Sequence, residues 1–121
     1  MRFKRGCAMK NVTKLLEHAR ARITDPANWT QLEFARDADG FRCRNITSLD
    51  AVCWCAAGSL NLSGDTLHAT PKAFRLASRE LEAAAFRLYG RNIADVNDGL
   101  GHEATLRMFD DAIKHSKMGE A

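Results

Sequence analysis

Apolar side chains recur every three or four residues in three stretches of the chain. Val12, Leu15, Leu16, Ala19 and Ile23 form the first stripe, which predicts a helix over about 11–23 with Asn11 as its N-cap. Thr24-Asp25-Pro26 ends it, because a proline biases the residue before it away from helix. Pro26 can open a short turn that carries Trp29. The second stripe is Phe74, Leu76, Ala77, Leu81, Ala84, Ala85 and Leu88. Thr70-Pro71 supplies a start signal for it, and Gly90 stands where a left-handed C-terminal residue belongs, so a helix is expected from 71 to 89. The third stripe, Leu106, Phe109, Ala112 and Ile113, predicts a helix over about 103–115.

Between the first and second stripes the pattern changes. Leu32, Phe34, Phe41 and Cys43 flank a polar stretch that ends in Asp39-Gly40, a strong turn signal, so residues 32–44 are expected to form a short β-hairpin. Residues 49–62 are apolar on most sides, which fits a central helix opened by a Thr47/Asp50 capping pair. Gly58 inside that helix points to a close approach by another backbone or a large side chain. Asn97-Asp98-Gly99 marks a turn before the last helix. The expected fold is mainly α: a compact bundle of about four helices with a small β-hairpin insertion. Residues 1–9 would be a basic flexible segment, 10–115 a single helical domain and 116–121 a frayed tail.

Composition adds scale and charge. The chain has 121 residues, 45% hydrophobic and 27% charged, the size and balance of one globular domain. No apolar run approaches the ~18 residues of a membrane span. The basic first nine residues are not followed by an apolar stretch, so they do not read as a signal peptide. The expected compartment is the cytoplasm, with Cys7, Cys43, Cys53 and Cys55 as reduced thiols. Net charge is only +3, yet residues 1–22 hold seven Lys/Arg against Glu17 alone. Arg2, Lys4, Arg5, Lys10 and Lys14 are therefore candidates for contact with a nucleic-acid backbone; the plainer reading is a solvated helix face.

Four constellations carry chemistry. Cys55, His102 and Asn97 or Asp98 would supply the nucleophile, base and orienting group of a cysteine hydrolase if the fold brought them together. Against that, a Cys55 in mid-helix would lack the N-terminal dipole that activates a thiol. Cys43, Cys53, Cys55 and His68 could ligate zinc, although their spacing matches no common zinc motif. Asp37-x-Asp39-Gly40 resembles part of a calcium loop but lacks the further oxygens that calcium needs. No metal and no cofactor is therefore assigned. Arg36, Asp37 and Trp54 could line a binding pocket; alternatively Asp37 caps nearby backbone amides and Arg36 bridges a carboxylate to tie the loops.

Ala35-Arg36-Asp37 with Gly40, then Trp54-Cys55 with Gly58-Ser59, then Asn97-Asp98 and a closing amphipathic helix follow one another in order over residues 11–113. This series resembles a domain-of-unknown-function family of small bacterial and phage proteins. Val96 stands where that family often has tryptophan. The resemblance implies a single domain and carries no activity. The expected function is that of a small non-enzymatic protein-interaction or accessory protein, a phage-related factor being one form of it. Its expected partner is another protein, with no membrane and with a homo-oligomer allowed. Nucleic-acid binding through the basic N-terminal segment and a hydrolase centred on Cys55 are the alternatives.

Overall fold

A computed structural model describes residues 2–120, with side chains from Met9 onward. The element order is α1 (Arg2–Arg22), a 3-10 turn (Pro26–Asn28), β1 (Ala35–Arg36), β2 (Cys53–Trp54), α2 (Ala56–Thr66), α3 (Pro71–Tyr89), α4 (Ile93–Asp95), a π turn (Val96–Leu100) and α5 (His102–Met118). The fold is mainly helical, with five helices and one small antiparallel sheet.

The core follows the stripes. Val12, Leu15, Leu16, Ala19 and Ile23 of α1 pack with Ala77, Leu81, Ala84 and Ala85 of α3 and with Met108, Phe109 and Ala112 of α5. Burial of such side chains stabilises by ~1.5–3 kcal/mol for each large one. The α3 ends are as the sequence predicts. Thr70 Oγ1 accepts the Ala73 N–H at 3.1 Å, Pro71 opens the helix, and Gly90 closes it at φ 65° with its N–H on the Phe86 carbonyl.

Three expected boundaries are wrong. First, α1 starts at Arg2, so residues 2–9 belong to the helix and Asn11 lies inside it, not at its cap. Second, α5 continues to Met118, and Ser116 is buried with its hydroxyl 2.7 Å from that of Thr13 on α1. The tail expected to fray is thus docked as far as that contact, which satisfies both hydroxyls.

Third, the helix expected over 49–62 begins only after Cys55. Residues 53–54 are strand, and Leu49 is fully exposed. Thr47 and Asp50 form no capping box; instead the Asp50 N–H bonds the Ser48 hydroxyl in a turn. The apolar character of 51–56 comes from packing a ribbon, a case in which an apolar run cannot by itself tell strand from helix.

That ribbon is wound around β1. Ala35 pairs with Trp54 and Arg36 with Cys53. On the other side of β1, Arg36 bridges Arg42, closing the hairpin whose turn is Asp37–Gly40. Asp37 Oδ1 accepts the N–H groups of Asp39 and Phe41, both at 2.9 Å, so the Asp-x-Asp-Gly motif is a self-capped turn. Trp29 bridges the far edge of β2.

Candidate functional site

The hub of the loop region is Asn97, 2% exposed on the π turn. Its Oδ1 accepts the Trp29 indole N–H at 2.8 Å and the Ala56 N–H at 2.9 Å. Its Nδ2 donates to the Thr30 carbonyl at 3.0 Å and to Asp98 Oδ1 at 2.9 Å. All four bonds an amide side chain can make are used. The same Asp98 oxygen accepts the Leu32 N–H at 2.9 Å, and Gln31 reaches back to the Asn97 and Asp98 carbonyls. One turn thereby fixes residues 29–32 and the start of α2 together. A π turn suits this task because its extra residue breaks the regular ladder and re-aims side chains.

Phe34 closes the arrangement. Its carbonyl accepts the Cys55 N–H, and a Cβ added to Gly58 would fall on that carbonyl oxygen. Gly58 is thus the close-approach glycine that the sequence suggests, and the approaching group is the backbone of residue 34.

Between these parts lies a cleft of about 220 Å³. Leu32, Phe34, Cys55, Ala57, Ile93 and Ala94 give it apolar walls, and Glu33 and Asp98 supply its carboxylates. Leu32 is held at φ 70°, a left-handed conformation rare for a bulky side chain, and it is 76% exposed. Strain of this kind costs ~1–3 kcal/mol and gathers at ligand clamps.

Cys55 is the N-cap of α2, not a mid-helix residue: its sulfur accepts the Gly58 N–H at 3.3 Å. Burial pushes its thiol pKa up; hydrogen bonds from the Gly58 and Ala57 backbone pull it back, and the Asp98 carboxylate raises it again. The net rise keeps the thiol protonated at neutral pH, which is opposite to the activation a nucleophile needs. The structure brings Cys55, Asn97 and Asp98 to one cleft but places His102 elsewhere. His102 Nε2 donates to the Ile23 carbonyl at 2.7 Å, and its ring packs on Trp29 with centroids 5.2 Å apart. The hydrolase set is therefore not assembled. Asn97 is occupied as a structural hub.

The remaining candidates have identified contacts. Arg36 donates to Thr30 Oγ1 and to the Gly40 and Gln31 carbonyls, so it ties loops through neutral acceptors and, among the described residues, bridges no carboxylate. The Trp54 indole lies under the Arg22 guanidinium, 5.7 Å from its centroid. Cys43, Cys53 and Cys55 are free thiols, and among the described residues no three His, Cys, Asp or Glu side chains gather as a metal site. His68 sits on the α2–α3 loop at φ 51°. Lys10 and Lys14 are exposed on α1; the side chains of Arg2, Lys4 and Arg5 lie outside the described residues.

A polar seam between α1 and α2 was not legible from spacing. Arg22 Nη1 donates to the Ser59 carbonyl, Ser59 Oγ and Ser63 Oγ at 2.7–3.0 Å. Its Nη2 is 3.2 Å from His18 Nδ1, which is also 2.8 Å from Ser63 Oγ. An arginine can only donate, so His18 Nδ1 accepts and the ring is neutral with its proton on Nε2. Burial and then Arg22 lower the His18 pKa accordingly.

A family described only as of unknown function, DUF6197, matches residues 8–115. The chain belongs to that family. The match spans the residues of the hub, the cleft and the polar seam. No curated protein and no solved structure matches the chain. No helix of the described residues is long and apolar enough to cross a membrane.

Proposed function

We propose that this DUF6197 domain is a non-enzymatic interaction module whose cleft seats one apolar side chain of a partner protein, flanked in that partner by lysine or arginine. The observation that carries the reading is the exposed Leu32, held in a strained conformation by Asp98 at the mouth of a rigidly latched cleft. About 220 Å³ is small for a free ligand, since small-molecule sites run to ~300–1,000 Å³, but it suits a single anchoring side chain. The charged residues lining it, Glu33 and Asp98, are both acidic, which favours basic neighbours of the anchor. Phe34 and Phe41, 60% and 71% exposed, extend the apolar surface along the hairpin.

Selection from a displayed peptide library tests this, with Ala94→Arg as the counter-target because Ala94 is exposed and lines the cleft. The expected result is a consensus of one large apolar residue with Lys or Arg within two positions, lost on Ala94→Arg. No enrichment, or peptides that bind Ala94→Arg equally well, would overturn the reading.

A further inference from the structure

A second pocket, of about 350 Å³, shares Glu33 and Phe34 with the cleft and adds Arg42 and Arg44 to its walls. The two pockets are therefore neighbours along the Phe34 segment, and their charge differs. The cleft carries Glu33 and Asp98, whereas the second pocket sets two guanidinium groups against Glu33 alone.

The hairpin places these arginines. Arg42 stands opposite Arg36, and residues two apart on an extended chain face the same way, which brings Arg44 to the side of Arg42. The Arg36 guanidinium is already engaged by Thr30 Oγ1 and the Gly40 and Gln31 carbonyls. Arg42 and Arg44 are exposed and have no carboxylate at ion-pair distance among the described residues. Asp37 in the adjoining turn spends Oδ1 on the Asp39 and Phe41 amides. Two such groups on one pocket wall repel each other, and each can only donate, through a planar fork that matches a carboxylate. An anion between them relieves the repulsion. A nucleic-acid strand would also bring successive phosphates against Glu33, so a single carboxylate suits the pocket better.

We infer that Arg42 and Arg44 take a side-chain carboxylate of the same partner segment whose apolar anchor enters the cleft. The partner is then an extended segment with Lys or Arg on one side of its anchor and Asp or Glu on the other. This rests on the cleft reading and adds a polarity to it.

Peptides selected on the parent, and titrated by fluorescence anisotropy with the full chain and its variants, test it. The expected consensus carries Asp or Glu on the side of the anchor away from its Lys or Arg. Arg42→Ala with Arg44→Ala should weaken binding of that peptide about fivefold, while Arg75→Ala, exposed on α3, should not. The same peptide with Asn or Gln for its acidic residue should bind the parent and the double variant equally. A consensus without an acidic residue, or a double variant that binds like the parent, overturns this inference and leaves the cleft reading intact. Acid-dependent binding that is lost in the double variant but unchanged in Ala94→Arg overturns the cleft reading and leaves the arginine site standing. A single-stranded oligonucleotide that binds through Arg42 and Arg44 and is not displaced by the acidic peptide overturns the carboxylate assignment. No enrichment of any peptide overturns both.

Discussion

Leu15, Leu81 and Phe109 are held by contact with other apolar side chains across three helices, whereas residues 29–32 are held chiefly by the polar atoms of one turn. Apolar packing is spread over many contacts and tolerates small losses at each. The latch is concentrated: Asn97 alone satisfies the Trp29 indole, the Ala56 amide and the Thr30 carbonyl. Removing it leaves several buried groups unpaired at once, each costing ~1–3 kcal/mol. The body should therefore fail globally and the latch region locally. This contrast also fits the proposed work of the two parts, since a binding cleft needs walls fixed in position while the body needs only to remain folded.

Phe109→Ala gives the largest expected effect, a loss of ~3–5 kcal/mol, because the side chain is fully buried at the meeting of the three helices. Hydrogen exchange should show protection lowered throughout the chain. Next comes Asn97→Ala, at ~3 kcal/mol. Here amides of residues 29–36 and 53–58 should exchange faster while those of α3 keep their protection; uniform loss would mean that latch and body are one cooperative unit.

Gly58→Ala follows at ~1–3 kcal/mol, because its Cβ meets the Phe34 carbonyl and the neighbour that must move is backbone. A melting curve unchanged from the parent would show that the segment 34–36 shifts freely and is not pinned. Leu32→Gly should have the opposite sign on stability, a gain of ~1 kcal/mol as the left-handed strain is relieved. The same variant should lose affinity for cleft-selected peptides. A stabilised variant that binds unchanged would detach Leu32 from the proposed function.

The smallest effect concerns His18. Its folded pKa is lowered from 6.5 by burial and by Arg22, so the unfolded chain binds the proton more readily than the folded one. The stability contribution is complete above pH 6.5 and is lost as the pH falls below it. Denaturation midpoints measured between pH 7.5 and 5.0 should fall more steeply in the parent than in His18→Asn. Parallel curves would remove His18 from the seam's pH response.

The residues explain why some of this was readable and some was not. Stripes at helical spacing placed α3 to the residue and located the buried faces of α1 and α5, because amphipathic periodicity and end-capping are local properties. Gly58 announced a close approach without naming Phe34 as the approaching group. Asp37 and Gly40 announced their turn. The error over 49–62 arose because Val52, Cys53 and Trp54 suit a helix and a half-buried ribbon equally well, and only pairing with Ala35 and Arg36 decides between them.

What the sequence by itself determined is the helical body, the DUF6197 identity and the uneven placement of charge. Each depends on residue type and on spacing along the chain. Only the tertiary structure decided that Cys55 caps a helix with a protonated thiol, that His102 serves Ile23 instead of Cys55, and that Asn97 holds three separate segments together. The roles of Asn97 and His102 depend on hydrogen bonds between residues 41–79 positions apart, and no local pattern encodes which donor will meet which acceptor once the chain is packed.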